Sequence, residues 1–335
     1  MRVQRIKRNP YFFAAMIITL ANVALIWAFR FLPLYDYPIW LYEVRIMRAL
    51  SDPLFSSTYD IIRAPVPNLG FVGPIWLLSF LMPPEVAGKV FLTVCVIGMP
   101  WSFLYSVRAV SSTVNSWAEY FGFPFSFSLY FFSGQAFLFG LTIMLLSIGF
   151  VLPRIDAGRL RHWLFLSLIL LLLYFVHALA LLLTVIVIVG AIIASETKVR
   201  SSIRFLLATI PTAMCLFVYF LSFSPSESVA PQWSFWTLAQ NVFKSLILFT
   251  RGHGHPNALP LTLLNAFWLV GVTCVVGKSY KDALHNGLVD KRFVVPIVTA
   301  LALMLLLPGY FLGVVQPGAR FALPVVLFLV LMTSR

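Results

Sequence analysis

The sequence predicts an all-α polytopic membrane protein, and three observations carry this prediction. Hydrophobic residues make up 61% of the 335 residues and charged residues only 10%, against roughly 25% in a soluble domain. The apolar runs are continuous, which favours transmembrane helices over the alternating segments of a membrane β-barrel. Basic residues cluster in short loops beside these runs, as the positive-inside rule describes. The net charge of +13 therefore indicates membrane topology and contact with anionic membrane lipids, and it does not indicate a nucleic-acid partner.

The apolar segments predict about ten transmembrane helices in one domain, 1–335. Four basic residues before residue 10 place the N-terminus in the cytoplasm of a cell bounded by the plasma (inner) membrane, and an even number of spans places the C-terminus there too. The expected cytoplasmic turn at 84–89 separates the second span from the third, and the stretch 111–119 is expected on the outer side. The predicted spans are 11–34, 69–83, 88–106, one that ends at 152, two within 163–195, then 205–223, 260–277, 293–314 and 321–334.

The run Trp163–Ser195 is too long for one upright span. Its 33 residues would form a helix of about 50 Å, against a hydrocarbon core of about 30 Å. We therefore predict two short helices with a break near Tyr174–His177. His177 is read as a buried side chain that bonds to a neighbouring helix, without a role in proton transfer.

The loop at 35–69 gathers acidic and basic residues in a chain with few charges elsewhere. Asp36 followed by Pro38 predicts the start of a helix, which should run over about 37–51. Arg45, Arg48 and Asp52 share one face of this helix and apolar side chains share the other, which is typical of a helix that lies in the membrane interface. Arg48 and Asp52 are four residues apart and are expected to pair.

Glu43 breaks the amphipathic pattern, because its helical neighbours are all apolar. Such a carboxylate needs a partner or a task. Asp36 lies two turns earlier on nearly the same side of the helix, so the two could serve as a general base with a helper, or as metal ligands. The alternative is that Asp36 only caps the helix and that Glu43 pairs with an arginine elsewhere.

Several arginines are predicted on the outer side, where topology does not require them, and the candidates among them are Arg63, Arg251 and Arg320. Guanidinium groups there can hold a phosphate through two hydrogen bonds, and contact with lipid headgroups is the alternative.

The second outer loop, 224–259, predicts another interfacial helix with tryptophans at headgroup level. Its end carries His253 and His255 between glycines. These histidines suit contact with a substrate, a divalent metal that Asp36 or Glu43 would help to bind, or an ordinary polar loop.

Several of these segments resemble the GT-C superfamily of integral membrane glycosyltransferases, in particular bacterial multi-spanning members. The first outer loop begins LPLYDYP and continues to RIMRAL, and Asp36 stands where that family has its catalytic acidic residue. The further similar pieces are PVPNLG at 65–70, PPEVAGKVFL at 83–92, SGQAFLFGL at 133–141, YFVHALALL at 174–182 and GARFALP at 318–324.

The resemblance implies a transferase that moves a sugar from a polyprenyl-phosphate donor to a lipid, glycan or protein acceptor at the extracytoplasmic face. Asp36, with Glu43 as helper, would be the base. The basic residues Arg63, Arg251 and Arg320 would hold the lipid phosphate, with His253 and His255 at the same site between the two outer loops.

Two other functions remain open. The segment after Asp36 reads Pro38-Ile39-Trp40-Leu41, where the bacterial group tends to have Pro-Asn-His-Leu, and this keeps a non-catalytic subunit of a glycan-assembly complex in view. A transporter of a lipid-linked substrate would instead predict charges near the bilayer midplane and paired repeats, which the sequence does not show.

Overall fold

The computed structural model describes residues 10–32, 34–60, 64–111, 116–127, 131, 134–156, 159–222, 258–285, 287, 289–307, 310–311, 314–315 and 318–333. Within them the chain is helical apart from a pair of two-residue strands, β1 (Tyr310–Phe311) and β2 (Val314–Val315), which run antiparallel. The helices are α1 (Pro10–Ala28), α2 (Tyr37–Arg48), α3 (Pro53–Ser56), α4 (Val72–Leu78), α5 (Pro84–Val110), α6 (Ser116–Tyr120), α7 (Gln135–Val151), α8 (Leu160–Val176), α9 (Ala178–Ile193), α10 (Lys198–Ser222), α11 (Ala258–His285), α12 (Val294–Leu306) and α13 (Ala322–Thr333).

The helices confirm a membrane-embedded helical protein. Among the described residues, four are long and apolar enough to cross a membrane: α1, α5, α7 with the turn that follows it to Arg154, and α10. The shorter apolar helices are α8, α9 and α13. The side chains of α5 and α7 are mostly buried, whereas α1 and α10 expose most of their apolar surface, as helices at the lipid boundary do.

The second predicted span, 69–83, does not cross the bundle. Its helix, α4, has 7 residues, and at 1.5 Å per residue it rises only about 10 Å. The next helix then starts at the end of the bundle where Asp36 lies, because the Tyr37 hydroxyl donates to the Glu85 carbonyl at 3.2 Å and Arg45 pairs with the Glu85 carboxylate. The prediction that 84–89 forms a turn at the opposite end is therefore wrong.

The direction of α5 follows from this start. It runs antiparallel to α1, with Trp27 donating to Thr93 at 3.1 Å and Phe12 packing on Trp101. Its last turn lies far from Asp36, where Arg108 bonds Glu119 at 2.7 Å. The stretch 111–119 thus begins at the end opposite to Asp36, contrary to the prediction.

The chain returns along the bundle between α5 and α7, because α7 runs parallel to α5. Phe91 packs against Phe139 near the start of both helices, and the Ser106 hydroxyl donates to the Leu145 carbonyl further along. The described part of the chain between them, 116–127, lies along α1: Tyr120 stacks on Tyr11, and the Asn22 amide donates to the Ser126 hydroxyl at 3.1 Å. A return segment therefore takes the place of the crossing that was predicted at 69–83.

The long apolar run forms a helical hairpin, and its break lies where the sequence predicts it. α8 ends at Val176 and α9 begins at Ala178. At the open end of the hairpin the Ser195 hydroxyl donates to Asp156 at 2.5 Å, so the two helices start and finish together. The apolar run Trp163–Ser195 therefore forms two helices of 17 and 16 residues, each short enough for a single crossing.

The remaining helices continue this alternation. α10 runs alongside α8, and Tyr174 donates to the Cys215 carbonyl at 3.3 Å. α12 begins near Asp290, at the end of the bundle opposite to Asp36, and its Pro296 lies beside Gly190 of α9. α13 follows the turn that contains Arg320 and runs back to the Asp290 end, where the Met332 carbonyl accepts from the Asp290 amide at 2.9 Å. We call the two ends of the bundle the Asp36 end and the Asp290 end.

Candidate functional site

Asp36 lies between α1 and α2 at the position that precedes the first turn of α2. Its side chain makes no capping hydrogen bond to that helix, so the reading of Asp36 as a simple cap is not what the structure shows. The carboxyl is half-buried. Burial raises its pKa above the ordinary aspartate value, and the nearby positive charge of Arg320 opposes this shift without cancelling it.

Arg320 reaches the same place from the other end of the sequence. It belongs to a single 3₁₀ turn, Gly318–Phe321, that leads into α13, and this turn packs against α12. Its Nη1 lies 3.2 Å from Nε2 of His177. The fold therefore brings together Asp36, His177 and Arg320 from three distant parts of the chain.

His177 occupies the single-residue break between α8 and α9. Its backbone is extended, and its Nδ1 accepts a hydrogen bond from the Leu179 amide at 3.2 Å, so that its side chain caps α9. The ring packs at 5.1 Å from that of Phe137 and is only 7% exposed. Burial, reinforced by the positive charge of Arg320, lowers the pKa of His177 to about 3, so the ring is neutral.

Asn68 completes the cap of α9. Its Oδ1 accepts a hydrogen bond from the Ala178 amide at 2.8 Å. The backbone of Asn68 is left-handed, with φ 66°, a conformation that asparagine tolerates better than most residues. The first two amides of α9 thus donate to side chains: Ala178 to Asn68, and Leu179 to His177.

The residues that follow Asn68 bond the last turn of α8. The Leu69 amide donates to the Phe175 carbonyl at 2.5 Å, and the Gly70 amide donates to the Val176 carbonyl at 3.1 Å. These carbonyls have no partner within α8, because the helix ends there. The segment 65–70 therefore acts as a strap that holds the tip of the hairpin and fixes the position of His177.

Glu43 is half-buried on α2, and burial raises the pKa of its carboxyl. Among the residues that the structure describes, no ion pair involves Glu43. It lies seven residues from Asp36, which is about 10 Å along the helix axis, and Asp36 does not contribute to its shift. Glu43 is therefore a second, separate carboxyl at this end of the bundle.

The charged face of α2 is used differently from the prediction. Arg45 pairs with Glu85, and the guanidinium of Arg48 lies 4.2 Å from the ring centre of Phe80. Asp52 accepts from the Leu54 amide at 2.9 Å and so caps α3. The predicted Arg48–Asp52 pair is wrong, because Asp52 begins a new helix instead of extending α2.

Four of the predicted site residues lie outside the described residues: Arg63, Arg251, His253 and His255. The interfacial helix predicted in 224–259 lies outside them as well, apart from the first residues of α11. Within the described part of the chain, no group of three His, Cys, Asp or Glu side chains is placed to hold a metal ion.

Sequence reasoning placed Asp36 and Arg320 among the candidates but assigned no role at the site to His177 or Asn68. The signal for His177 was its position, since a polar residue at the break of an overlong apolar run caps the helix that follows. Comparison with protein-family models, with curated proteins and with solved structures finds no match.

Proposed function

We propose that this chain is a GT-C-like membrane glycosyltransferase, which moves a sugar from a polyprenyl-phosphate donor to a lipid, glycan or protein acceptor. The observation that carries the proposal is that the positive charge of Arg320 acts on the half-buried carboxyl of Asp36. A half-buried carboxyl and a guanidinium at one end of an apolar bundle are the two groups that this reaction needs, one to take a proton and one to bind a phosphate.

In the proposed reaction Asp36 accepts the proton of the acceptor hydroxyl as its oxygen attacks the anomeric carbon. The bond between that carbon and the phosphate oxygen breaks, and the polyprenyl phosphate leaves with the electron pair. Arg320 stabilises the charge that develops on this phosphate. The raised pKa of Asp36 makes it a stronger base than an exposed aspartate.

The proposed membrane path has ten crossings, formed by nine apolar helices and by the connection between α5 and α7, of which residues 116–127 are described. It places both termini in the cytoplasm and the Asp36 end at the extracytoplasmic face of the plasma membrane. The basic residues at the Asp290 end, Arg154 and Arg292 among them, support this orientation.

The test is the exchange of Asp36 for asparagine, with Asp52→Asn as the matched control. Asp52 lies on the same outer segment but is exposed and only caps α3. Using purified protein and a panel of polyprenyl-phosphate sugars, we expect D36N to lower the transfer rate at least 100-fold, the usual contribution of a general base. D52N should retain most of the rate. Equal turnover by D36N and the parent would show that Asp36 is not the base.

A further inference from the structure

His177 is held as one particular tautomer. Its Nδ1 accepts the Leu179 amide, and a neutral imidazole with its lone pair on Nδ1 carries its proton on Nε2. The ring packs against Phe137 and is almost fully buried, and both restrain its rotation about the Cβ–Cγ bond. The strap at 65–70 fixes the backbone around it.

This tautomer places two hydrogen-bond donors side by side. Nε2 of His177 lies 3.2 Å from Nη1 of Arg320. A guanidinium only donates hydrogen bonds, so the N–H of His177 and the N–H of Arg320 cannot bond to each other. They can both bond to one acceptor atom, and an acceptor with negative charge gains most from a pair that includes a guanidinium.

We infer that His177 and Arg320 together bind an anionic oxygen of a phosphate monoester, with His177 donating through Nε2. The inference names a second phosphate-binding group for the transferase site and in that sense rests on the proposed function. The binding itself requires no transfer. The apolar wall next to the donors, formed by Phe137 and the ends of α8 and α9, suits a phosphate that is carried on a hydrophobic chain.

Two substitutions separate the ring's two roles. Asn at position 177 can still cap α9, because its side-chain oxygen lies near the position of Nδ1 and asparagine is among the best capping residues. It cannot reach the position of Nε2. Gln at position 177 places its amide N–H near Nε2 but loses the cap. We therefore expect H177N to keep the stability and lose phosphate affinity, and H177Q to do the reverse.

The experiment measures binding of farnesyl phosphate to the full-length protein in detergent by titration calorimetry, with melting temperatures recorded for each variant. We expect H177N to bind about tenfold more weakly than the parent, as for loss of one charge-assisted hydrogen bond, at an unchanged melting temperature. H177Q should bind within about threefold of the parent at a lower melting temperature. Affinities that fall in step with melting temperature in both variants would show that His177 is only structural, and parent-like binding by H177N would overturn the inference outright.

Two control ligands identify what is recognised. Farnesol carries the chain without the phosphate, and binding of farnesol as tight as that of farnesyl phosphate would overturn the inference. Inorganic phosphate carries the charge without the chain. If it binds with the same dependence on His177 and with equal affinity, the ligand is free phosphate; weaker binding than that of farnesyl phosphate supports a lipid phosphate.

The tautomer is measured independently of binding. Nitrogen-15 chemical shifts of labelled histidine separate the two ring nitrogens, and the H177N spectrum assigns His177 among the five histidines. We expect the proton on Nε2, and a proton on Nδ1 would contradict the inference. A parent protein that binds farnesyl phosphate through His177 but transfers no sugar would refute the proposed function alone.

Discussion

Near the Asp290 end the carboxylates of Asp290 and Asp156 each accept several hydrogen bonds, whereas at the Asp36 end burial raises the pKa of two half-buried carboxyls, Asp36 and Glu43. Asp290 bonds the guanidinium of Arg292 through both oxygens, at 2.6 to 3.0 Å, and also accepts the Arg292 amide at 3.1 Å. Asp156, which is exposed, accepts from Ser195 at 2.5 Å and from Thr197 at 3.0 Å, and these bonds lower its pKa. For Asp36 and Glu43 the pKa shift has the opposite sign.

This difference in pKa separates carboxylates that stabilise the fold from carboxyls that suit catalysis. Carboxylates that are fully bonded in the folded protein stabilise it and are poor bases, since their protons are bound weakly. Carboxyls whose charged form is penalised by burial do not stabilise the fold, and such groups concentrate at functional sites. The bonded carboxylates at the Asp290 end hold helices together. The carboxyls with raised pKa at the Asp36 end are the better candidates for function.

The largest effect is expected from breaking the Asp290 end. Asp290→Asn removes a charge that is 1% exposed and leaves the guanidinium of Arg292, 18% exposed, without its counterion. Removing one partner of a buried ion pair destabilises proteins by about 3 kcal/mol or more. We expect a marked fall in the melting temperature in detergent.

Glu196→Gln is the matched control for this substitution. Glu196 follows Ser195 at the same end of the bundle and is exposed, so its neutralisation should leave the melting temperature nearly unchanged. If D290N melted together with E196Q, the ion pair at Asp290 would not be what holds this end.

An intermediate effect is expected from the strap. On Gly70 an alanine Cβ would collide with the carbonyl oxygen of Val176 and would lie 2.8 Å from its Cγ1. Backbone atoms cannot move aside as a flexible side chain can, so we expect G70A to cost about 2 kcal/mol in thermal unfolding, as for overpacking in a core. On Gly73 the nearest atom would be 3.7 Å away, and G73A should be close to neutral. Equal melting of the two variants would contradict the strap.

The smallest effect is expected from Glu43. Because burial raises its pKa in the folded protein, the folded state binds the proton more tightly than the unfolded state does, and stability falls as pH rises from the ordinary value of 4.5 through the raised one. At neutral pH, E43Q should therefore be slightly more stable than the parent, by less than about 0.5 kcal/mol after solvent screening.

The comparison of melting temperatures across pH checks this sign. The difference between E43Q and the parent should vanish below about pH 4.5. Asp156 behaves in the opposite way. Its lowered pKa contributes stability above the ordinary aspartate value of 3.8, and that stability is lost as pH falls through the lowered value. If the parent were more stable than E43Q at neutral pH, the raised pKa of Glu43 would be wrong.

The helical class, the helix after Asp36 and the break at His177 could all be predicted from hydrophobicity, charge and length. The error at 69–83 has a physical cause. An apolar stretch of about 15 residues looks the same whether it crosses the bilayer or turns back, and α4 turns back with Leu77 and Phe80 exposed. The Arg45–Glu85 pair decides between these paths, and it joins residues that are 40 apart in sequence.

The candidate site shows the same limit. Residue types alone identified Asp36 and Arg320 as separate candidates, but their meeting depends on the directions of α1 and α13. The role of His177 depends on its contact with Arg320, which lies 143 residues further along the chain. Such long-range contacts leave no periodic signal in the sequence, so they could not be derived from it.

The shortness of the α8–α9 hairpin has a consequence for the surrounding bilayer. α8 has 17 residues and α9 has 16, which corresponds to about 26 and 24 Å against a hydrocarbon thickness of about 30 Å. Leu164, Leu168 and Leu172 are exposed along α8, as expected of a helix side that faces acyl chains. Lipids there must compress to match it, and this hydrophobic mismatch favours thinner membrane regions. The hairpin that positions His177 therefore also determines in which lipid surroundings the protein is most stable.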